Sequence, residues 1–357
     1  MKFLYPVYNP CWQTIDVAKD WGLDGTTDLA LVLQQPFKIA CVRALFNQPH
    51  VFSYDPNIEV DFDQFDLVVI SDVEYSRVTE IKQWIANNNI KRSVLALGGQ
   101  HENDDFDGDH MLLRHYWIQH YLKQNQFVDT SGDDKPFWFD ALLGARRPHR
   151  DYVMLAMTQS GLLQQSIVTY RSGFPGAIID HQSQEFAELF PGTELQWPYV
   201  SANLNADWEV SNNVNNQVSF ISPEQIYRRT YYSIVAETLG TGGAFFFSEK
   251  TIKAFASGRI FVLFGNANYL QRLRALGFQT FDSVLDESYD QCRLDFERFS
   301  RAWQQVEWLA TQNPARIQRL LAPVLEHNRL RLQQLVNEQR QSMSELLQRY
   351  TSLQHWG

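Results

Sequence analysis

Two successive series of short apolar runs, each alternating with helical patterns, constrain this chain more than any other feature. In the first, residues 3–8, 38–46, 67–71 and 93–97 read as buried strands, with a helix over 78–87 between them. The second series places strands at 137–143, 166–170, 232–237 and 260–264 and helices at 151–163, 249–257 and 269–276. That alternation of buried strands with helices makes the class α/β. The polar, turn-forming stretch 129–135 separates the series, as expected where few contacts cross between domains. Two Rossmann-like domains facing a cleft are therefore expected, over residues 1–130 and 136–290.

Strand signals vanish beyond residue 290, and a helical extension is expected over 291–357. Asn313-Pro314 reads as an N-cap with proline at the first helical position. Past Pro323, Leu325, Leu332, Leu335, Met343, Leu346, Tyr350 and Leu353 approximate a heptad stripe interrupted by Asn328 and Gln339. The stripe either packs on the protein's own domains or joins copies into a homo-oligomer. The segment 203–217, rich in Asn, reads as an exposed loop.

Composition narrows the function classes. Aromatics at 14% and hydrophobic residues at 44%, against 20% charged, exclude intrinsic disorder, because such a chain offsets its ordering entropy by burial. A net charge of −10 argues against a non-specific grip on nucleic acid or anionic membrane. Cys11, Cys41 and Cys292 are odd in number and far apart, which suits a reducing, cytoplasmic setting and neither a disulfide framework nor a zinc site. No run reaches the ~18 apolar residues of a membrane span.

Chemistry concentrates in two places. In residues 232–258 a buried strand ends at Glu237, a loop carries Gly240, Gly242 and Gly243, and a helix opens near Ser248 with Glu249 and Lys250 in its first turn. Helix N-termini at the carboxyl ends of strands direct unpaired N–H groups at anions, so this opening reads as a phosphate site. Lys250 opposes the helix macrodipole, a cost that suggests an anionic partner; in the bland reading, Ser248 and Glu249 only cap the helix and Lys250 is solvated. The second place is Arg146-Arg147-Pro148-His149-Arg150, a positive turn directly after the strand that opens the second series. Its bland reading is a solvated turn paired with Asp140 and Asp151. The acidic stretch around Asp105 and Asp107 lacks the terminal Glu of a calcium loop and reads as solvated, and the five-residue spacing of His110, His115 and His120 puts them on different faces of a helix; no metal site is expected.

The pattern Phe246, Glu249, Lys250, Gly258 and Gly265, with a strand ending Ile-Val-Ala-Glu-Thr at Thr238, resembles the donor-nucleotide motif of α1,3-fucosyltransferases and of fucosyltransferase-like proteins of phages and marine bacteria. The resemblance covers residues 137–290 and leaves the N-terminal domain unmatched. It implies a GT-B glycosyltransferase, with an acceptor-side first domain and a donor-binding second one. It further implies that Glu249 holds ribose hydroxyls, that Lys250 holds the diphosphate, that Ser248 lies beside them and that Glu237 lies near the sugar as a catalytic candidate. Arg146, Arg147, His149 and Arg150 would be the phosphate or leaving-group contacts.

No cofactor is expected beyond the nucleotide-diphospho-sugar donor, a GDP-linked sugar in this reading. The partners expected are that nucleotide sugar and a carbohydrate or other hydroxyl acceptor. Inverting transfer needs a general base from the first domain. The family's early Glu has no counterpart in residues 45–50, which leaves Asp55, Asp72 and Glu74 as carboxylates at loop ends. Two rivals stand beside this reading. One is transfer to a modified phage DNA base, which the net charge opposes unless one face is locally basic. The other is a non-catalytic nucleotide-binding scaffold that works through its C-terminal helices.

Overall fold

A computed structural model describes residues 3–6, 23–26, 29–35, 37–43, 61–72, 78–97, 99–100, 110–114, 118, 121–122, 134–145, 147–171, 186–190, 202–204, 223–242 and 245–353. The chain divides into two compact units, residues 1–123 with 334–357, and residues 124–333. Both are α/β with parallel sheets.

In the first unit, β1 (Phe3–Pro6) pairs in parallel with β2 (Leu23–Thr26), and the short helix α1 (Leu29–Leu33) follows. A four-stranded, all-parallel sheet then runs β3 (Ile39–Arg43), β4 (Leu67–Asp72), β5 (Ser93–Leu97) and β7 (His110–Arg114), with the two-residue β6 (Gly99–Gln100) between the last two in sequence. Helix α2 (Val78–Asn87) connects β4 to β5. Val68, Ile70 and Leu95 are buried with Ile81, Trp84 and Ile85 of α2, as a parallel sheet covered by crossover helices requires. His110 belongs to a strand, so the helical spacing read for the three histidines does not hold there; His115 and His120 lie outside the described residues.

The second unit is built on β8 (Phe137–Ala145), β9 (Ser166–Arg171), β10 (Ala202–Leu204), β11 (Thr230–Ala236) and β13 (Phe261–Phe264), in the order β10-β9-β8-β11-β13. All pairings are parallel except that of the edge strand β10. From β8 the chain winds outward through β9 to β10, then returns to the other flank of β8 with β11 and β13. The sheet therefore has a topological switch point between β8 and β11. The apolar runs of β11 and β13 are buried along nearly their whole length, which makes them legible as buried strands although β13 stands at the sheet's edge. Residues 203–204 lie in β10 rather than in a loop.

Helix α3 (Pro148–Gln159) links β8 to β9, and α4 (Glu224–Arg229) leads into β11. After the short β12 (Phe245–Phe246) come α5 (Glu249–Ala256) and α6 (Tyr269–Ala275). Helix α3 starts three residues before the position read from the sequence. Pro148 occupies its first turn, where a missing N–H costs nothing.

The stretch beyond residue 290 is not an appendage. Helix α7 (Asp295–Ala310) buries Phe299, Ala302, Trp303, Val306 and Leu309, a helical stripe that belongs to the core of the second unit. Helix α8 (Pro314–Leu353) is capped by Asn313, whose Oδ1 accepts from the Arg316 N–H at 3.0 Å. Its residues up to 333 group with the second unit and the rest with the first. Ile317, Leu321, Leu325, Leu332, Leu335 and Val336 are buried by the chain itself. Asn328, read as an interruption of that stripe, is fully buried. Its amide donates to the Gln279 carbonyl and accepts from the Gln279 N–H, both at 2.8 Å. Among the described residues no helix is long and apolar enough to cross a membrane.

Candidate functional site

The switch point gathers most of the residues singled out from the sequence. Strand β8 ends at Ala145 and delivers Arg147 as the N-cap of α3, in an extended conformation that makes no side-chain capping bond. Strand β11 ends beside it and delivers Glu237. In open parallel sheets this crevice, at the carboxyl ends of the strands, is where ligands bind.

His149 and Arg150, in the first turn of α3, are buried rather than solvated. His149 Nε2 lies 2.7 Å from the Glu237 carbonyl, and Arg150 Nη2 donates to the same oxygen at 3.0 Å. Burial, reinforced by the Arg150 charge, holds the His149 imidazole well below its ordinary pKa, so the ring is neutral and its Nε2–H is the donor. The acids proposed to pair with this turn are engaged elsewhere. Asp140 binds Arg259, and Asp151 accepts from the Tyr170 hydroxyl at 2.6 Å. Arg147 Nε is buried without a hydrogen-bond partner among the described residues. Arg146 lies outside them.

The carboxylate of Glu237 is fully buried. Its Oε2 accepts from the Thr238 N–H at 2.9 Å and from the Ser248 hydroxyl. Its Oε1 accepts from the Tyr269 hydroxyl at 2.8 Å and from both the N–H and the hydroxyl of Thr251. Ser248 is the N-cap of α5 and also accepts from the Lys250 N–H. The N-terminus of α5, read from the sequence as a phosphate site, is thus filled by the chain's own anion, and Glu237 has no exposed surface with which to touch a sugar. The N-terminus of α6 is filled likewise: Asp290 accepts from the N–H groups of Leu270 and Gln271 at 2.9 and 3.0 Å. Helix α3 has Arg147 at its N-cap and makes no side-chain capping bond.

Glu249 and Lys250 project from the first turn of α5 with side chains 17% and 21% exposed, enough to meet a ligand. Lys250 Nζ donates to Glu249 Oε1 at 2.6 Å and to Thr238 Oγ1 at 2.9 Å. Burial would raise the Glu249 carboxyl, but Lys250 and Lys253 together hold it below its ordinary range. Lys253 was not singled out from the sequence. Burial drives its amine down to about 8, Lys250 adds to the effect and Glu249 opposes it.

Further participants carried no local signal. Arg298 of α7 is buried and donates to three carbonyls: Gly265 at 2.9 Å, Cys292 at 3.0 Å and Gly240 at 3.0 Å. The other side of Gly240 is closed by His149, since a Cβ there would stand 2.3 Å from the imidazole, and no other residue fits. In the first unit, Asp72 is the last residue of β4, at the carboxyl edge of that sheet. Asp55, Glu74, Asp105 and Asp107 lie outside the described residues.

No protein-family model and no curated protein matches the chain. Among solved structures it is similar to the DNA-modifying enzyme β-glucosyltransferase, whose structure was determined in the presence and absence of uridine diphosphoglucose. The two are 13% identical over 99% of each chain, with a TM-score of 0.39.

Proposed function

We propose that the chain is a GT-B glycosyltransferase whose second unit binds a nucleotide-diphospho-sugar at the switch point between β8 and β11. The observation that carries this reading is the contrast among the helix termini: α5 and α6 are filled by Glu237 and Asp290, whereas α3 has no side-chain cap and has Arg147 at its mouth. An anion placed there meets a helix N-terminus and a guanidinium with a spare donor.

In this reading the diphosphate lies over the start of α3 and is held by Arg147 and Lys250. His149 and Arg150 support the turn from beneath. Glu249 accepts two ribose hydroxyls, a task for which a carboxylate held below its ordinary pKa is suited. The cations and the helix terminus offset the charge of the departing diphosphate, so transfer needs no divalent metal. The acceptor is a hydroxyl, and the base that takes its proton comes from the first unit, with Asp72 and Asp55 as the candidates. The donor is GDP-linked and the transfer inverting, in keeping with the fucosyltransferase-like pattern of the α5 segment.

The test is titration calorimetry of the full chain with GDP, UDP and the matching nucleosides, followed by transfer assays with labelled sugar nucleotides in EDTA. Binding of a diphosphate well above its nucleoside, with activity in chelator, is expected. No preference for the diphosphate sinks the donor site. Loss of activity in EDTA with rescue by manganese sinks the metal-free mechanism.

A further inference from the structure

Glu237 bonds to both arms of the crevice, and it does so with different atoms. Its side chain accepts from Ser248 and Thr251 and so seats the first turn of α5, from which Glu249 and Lys250 project. Its carbonyl accepts from His149 and Arg150 and so seats the first turn of α3. The two sets of bonds meet within one residue, whose N–H is itself held by the Phe264 carbonyl of β13 at 3.0 Å. The peptide that orients His149 and Arg150 thus belongs to the residue whose side chain seats α5.

We propose that Glu237 is a positioning residue that sets the arginine arm and the lysine arm in register, so that one diphosphate can be gripped by both. Its five carboxylate donors, Thr238 N–H, Ser248 Oγ, Thr251 N–H, Thr251 Oγ1 and Tyr269 OH, are all neutral. They orient the group without spending a lysine or arginine on it, and they come from three segments that fix the side chain from different sides. Tyr269 carries the arrangement one step further. Its hydroxyl also reaches the Phe246 carbonyl at 2.9 Å, and burial together with the Glu237 charge keeps its proton in place as a donor.

This inference rests on the donor-site reading for its ligand readout only, because His149 reports on the arrangement with no ligand present. Three variants remove donors or the charge while keeping volume: Thr251→Val, Tyr269→Phe and Glu237→Gln. The conservative Thr251→Ser restores the hydroxyl. Two signals are read, the ¹⁵N resonances of the His149 ring in the free protein and the affinity for GDP or UDP.

If Glu237 ties the arms, Thr251→Val and Tyr269→Phe shift the His149 resonances although neither residue touches that ring. Each weakens diphosphate binding about tenfold, the scale of one lost hydrogen bond to a charged group, and Thr251→Ser returns both signals to the wild-type values. Combining Thr251→Val with Arg147→Ala then costs less than the product of the single losses, as expected for residues acting as one unit.

Folded Thr251→Val and Tyr269→Phe proteins with unmoved His149 resonances and unchanged affinity overturn the proposal, because Glu237 is then only a cap for α5. Should Glu237→Gln fail to fold, the two conservative variants decide. Wild-type protein that binds no nucleoside diphosphate overturns the donor-site reading instead and leaves the His149 test standing.

Discussion

Two buried carboxylates in the second unit, Asp140 in β8 and Glu237 just past β11, are satisfied in opposite ways. Asp140 Oδ1 accepts from Arg259 Nη2, Thr230 Oγ1 and Ser233 Oγ at 2.8, 2.8 and 2.9 Å. The remaining donors of Arg259 are committed to the carbonyls of Tyr227 and Thr230 and to the hydroxyls of Ser233 and Thr230, and its guanidinium lies over the Tyr227 ring. Burial pushes the Asp140 carboxyl up, and Arg259 opposes that push. This cation is wholly spent on the fold. Glu237 is held by hydroxyls and amides, and the cations of its neighbourhood keep capacity for something else. A closed ion pair fixes the sheet, whereas a carboxylate held by neutral donors can shape a site.

The largest test of that contrast is Arg259→Met, which strands Asp140 without its counter-charge. A loss of about 3–5 kcal/mol in denaturant unfolding is expected, with most of it regained in the double variant Asp140→Leu/Arg259→Met. A loss below about 1 kcal/mol would mean that the pair is not structural. Nucleotide affinity of the folded fraction should be unchanged.

At the crevice the effect moves from stability to binding. Arg147→Ala and Lys250→Ala should each weaken nucleoside-diphosphate binding by about 1.5–3 kcal/mol, or roughly 10- to 150-fold. The nucleoside should be untouched, and the difference should shrink as salt rises. Calorimetry at two ionic strengths reads this, and unaltered diphosphate affinity in both variants would place the anion elsewhere.

His149 supplies a third test, of pH dependence. Its folded pKa lies well below the ordinary value, so at pH 7 neither the folded nor the unfolded state carries the proton. As pH falls below about 6.5 the unfolded chain takes up a proton that the folded one refuses, and stability drops by up to about 1.4 kcal/mol per pH unit. His149→Gln keeps a donor for the Glu237 carbonyl and removes the titration, so its stability curve should be flatter between about pH 6.5 and 5. Parallel curves would show that the imidazole is charged in the fold.

The smallest effect belongs to Glu249→Gln. A carboxylate exchanged for an amide at a ribose contact should cost nucleoside and diphosphate alike about 0.5–1.5 kcal/mol, with little dependence on salt. A loss confined to the diphosphate would move Glu249 off the ribose.

What the sequence disclosed follows from how far each interaction reaches. The strands β8, β11 and β13 are continuous apolar runs and announce themselves. Ser248, Glu249 and Lys250 stand together at a helix start and were found by that local grammar. Helix α3 was read late because Arg-Pro-His-Arg looks like a polar turn, although Pro148 at a first helical position carried the opposite message. The partners of Glu237 lie up to 88 residues away and those of Asp140 up to 119, distances at which no local pattern operates. Asn328 looks in the sequence like a flaw in an apolar stripe, because a side chain that pairs with a main-chain segment 49 residues earlier is polar out of context.

Arg298 has a consequence for the order in which the protein is made. The glycine loop that it holds through the Gly240 carbonyl is synthesised 58 residues before it. A nascent chain folds from its N-terminal side as it emerges. While Arg298 is still to be added, β8, β11 and the glycine loop already exist without the guanidinium that joins Gly240, Gly265 and Cys292. Synthesis therefore completes the crevice from behind, and a chain stopped at residue 290 would carry every nucleotide-recognition residue named above and still lack the clamp that holds their loop in place.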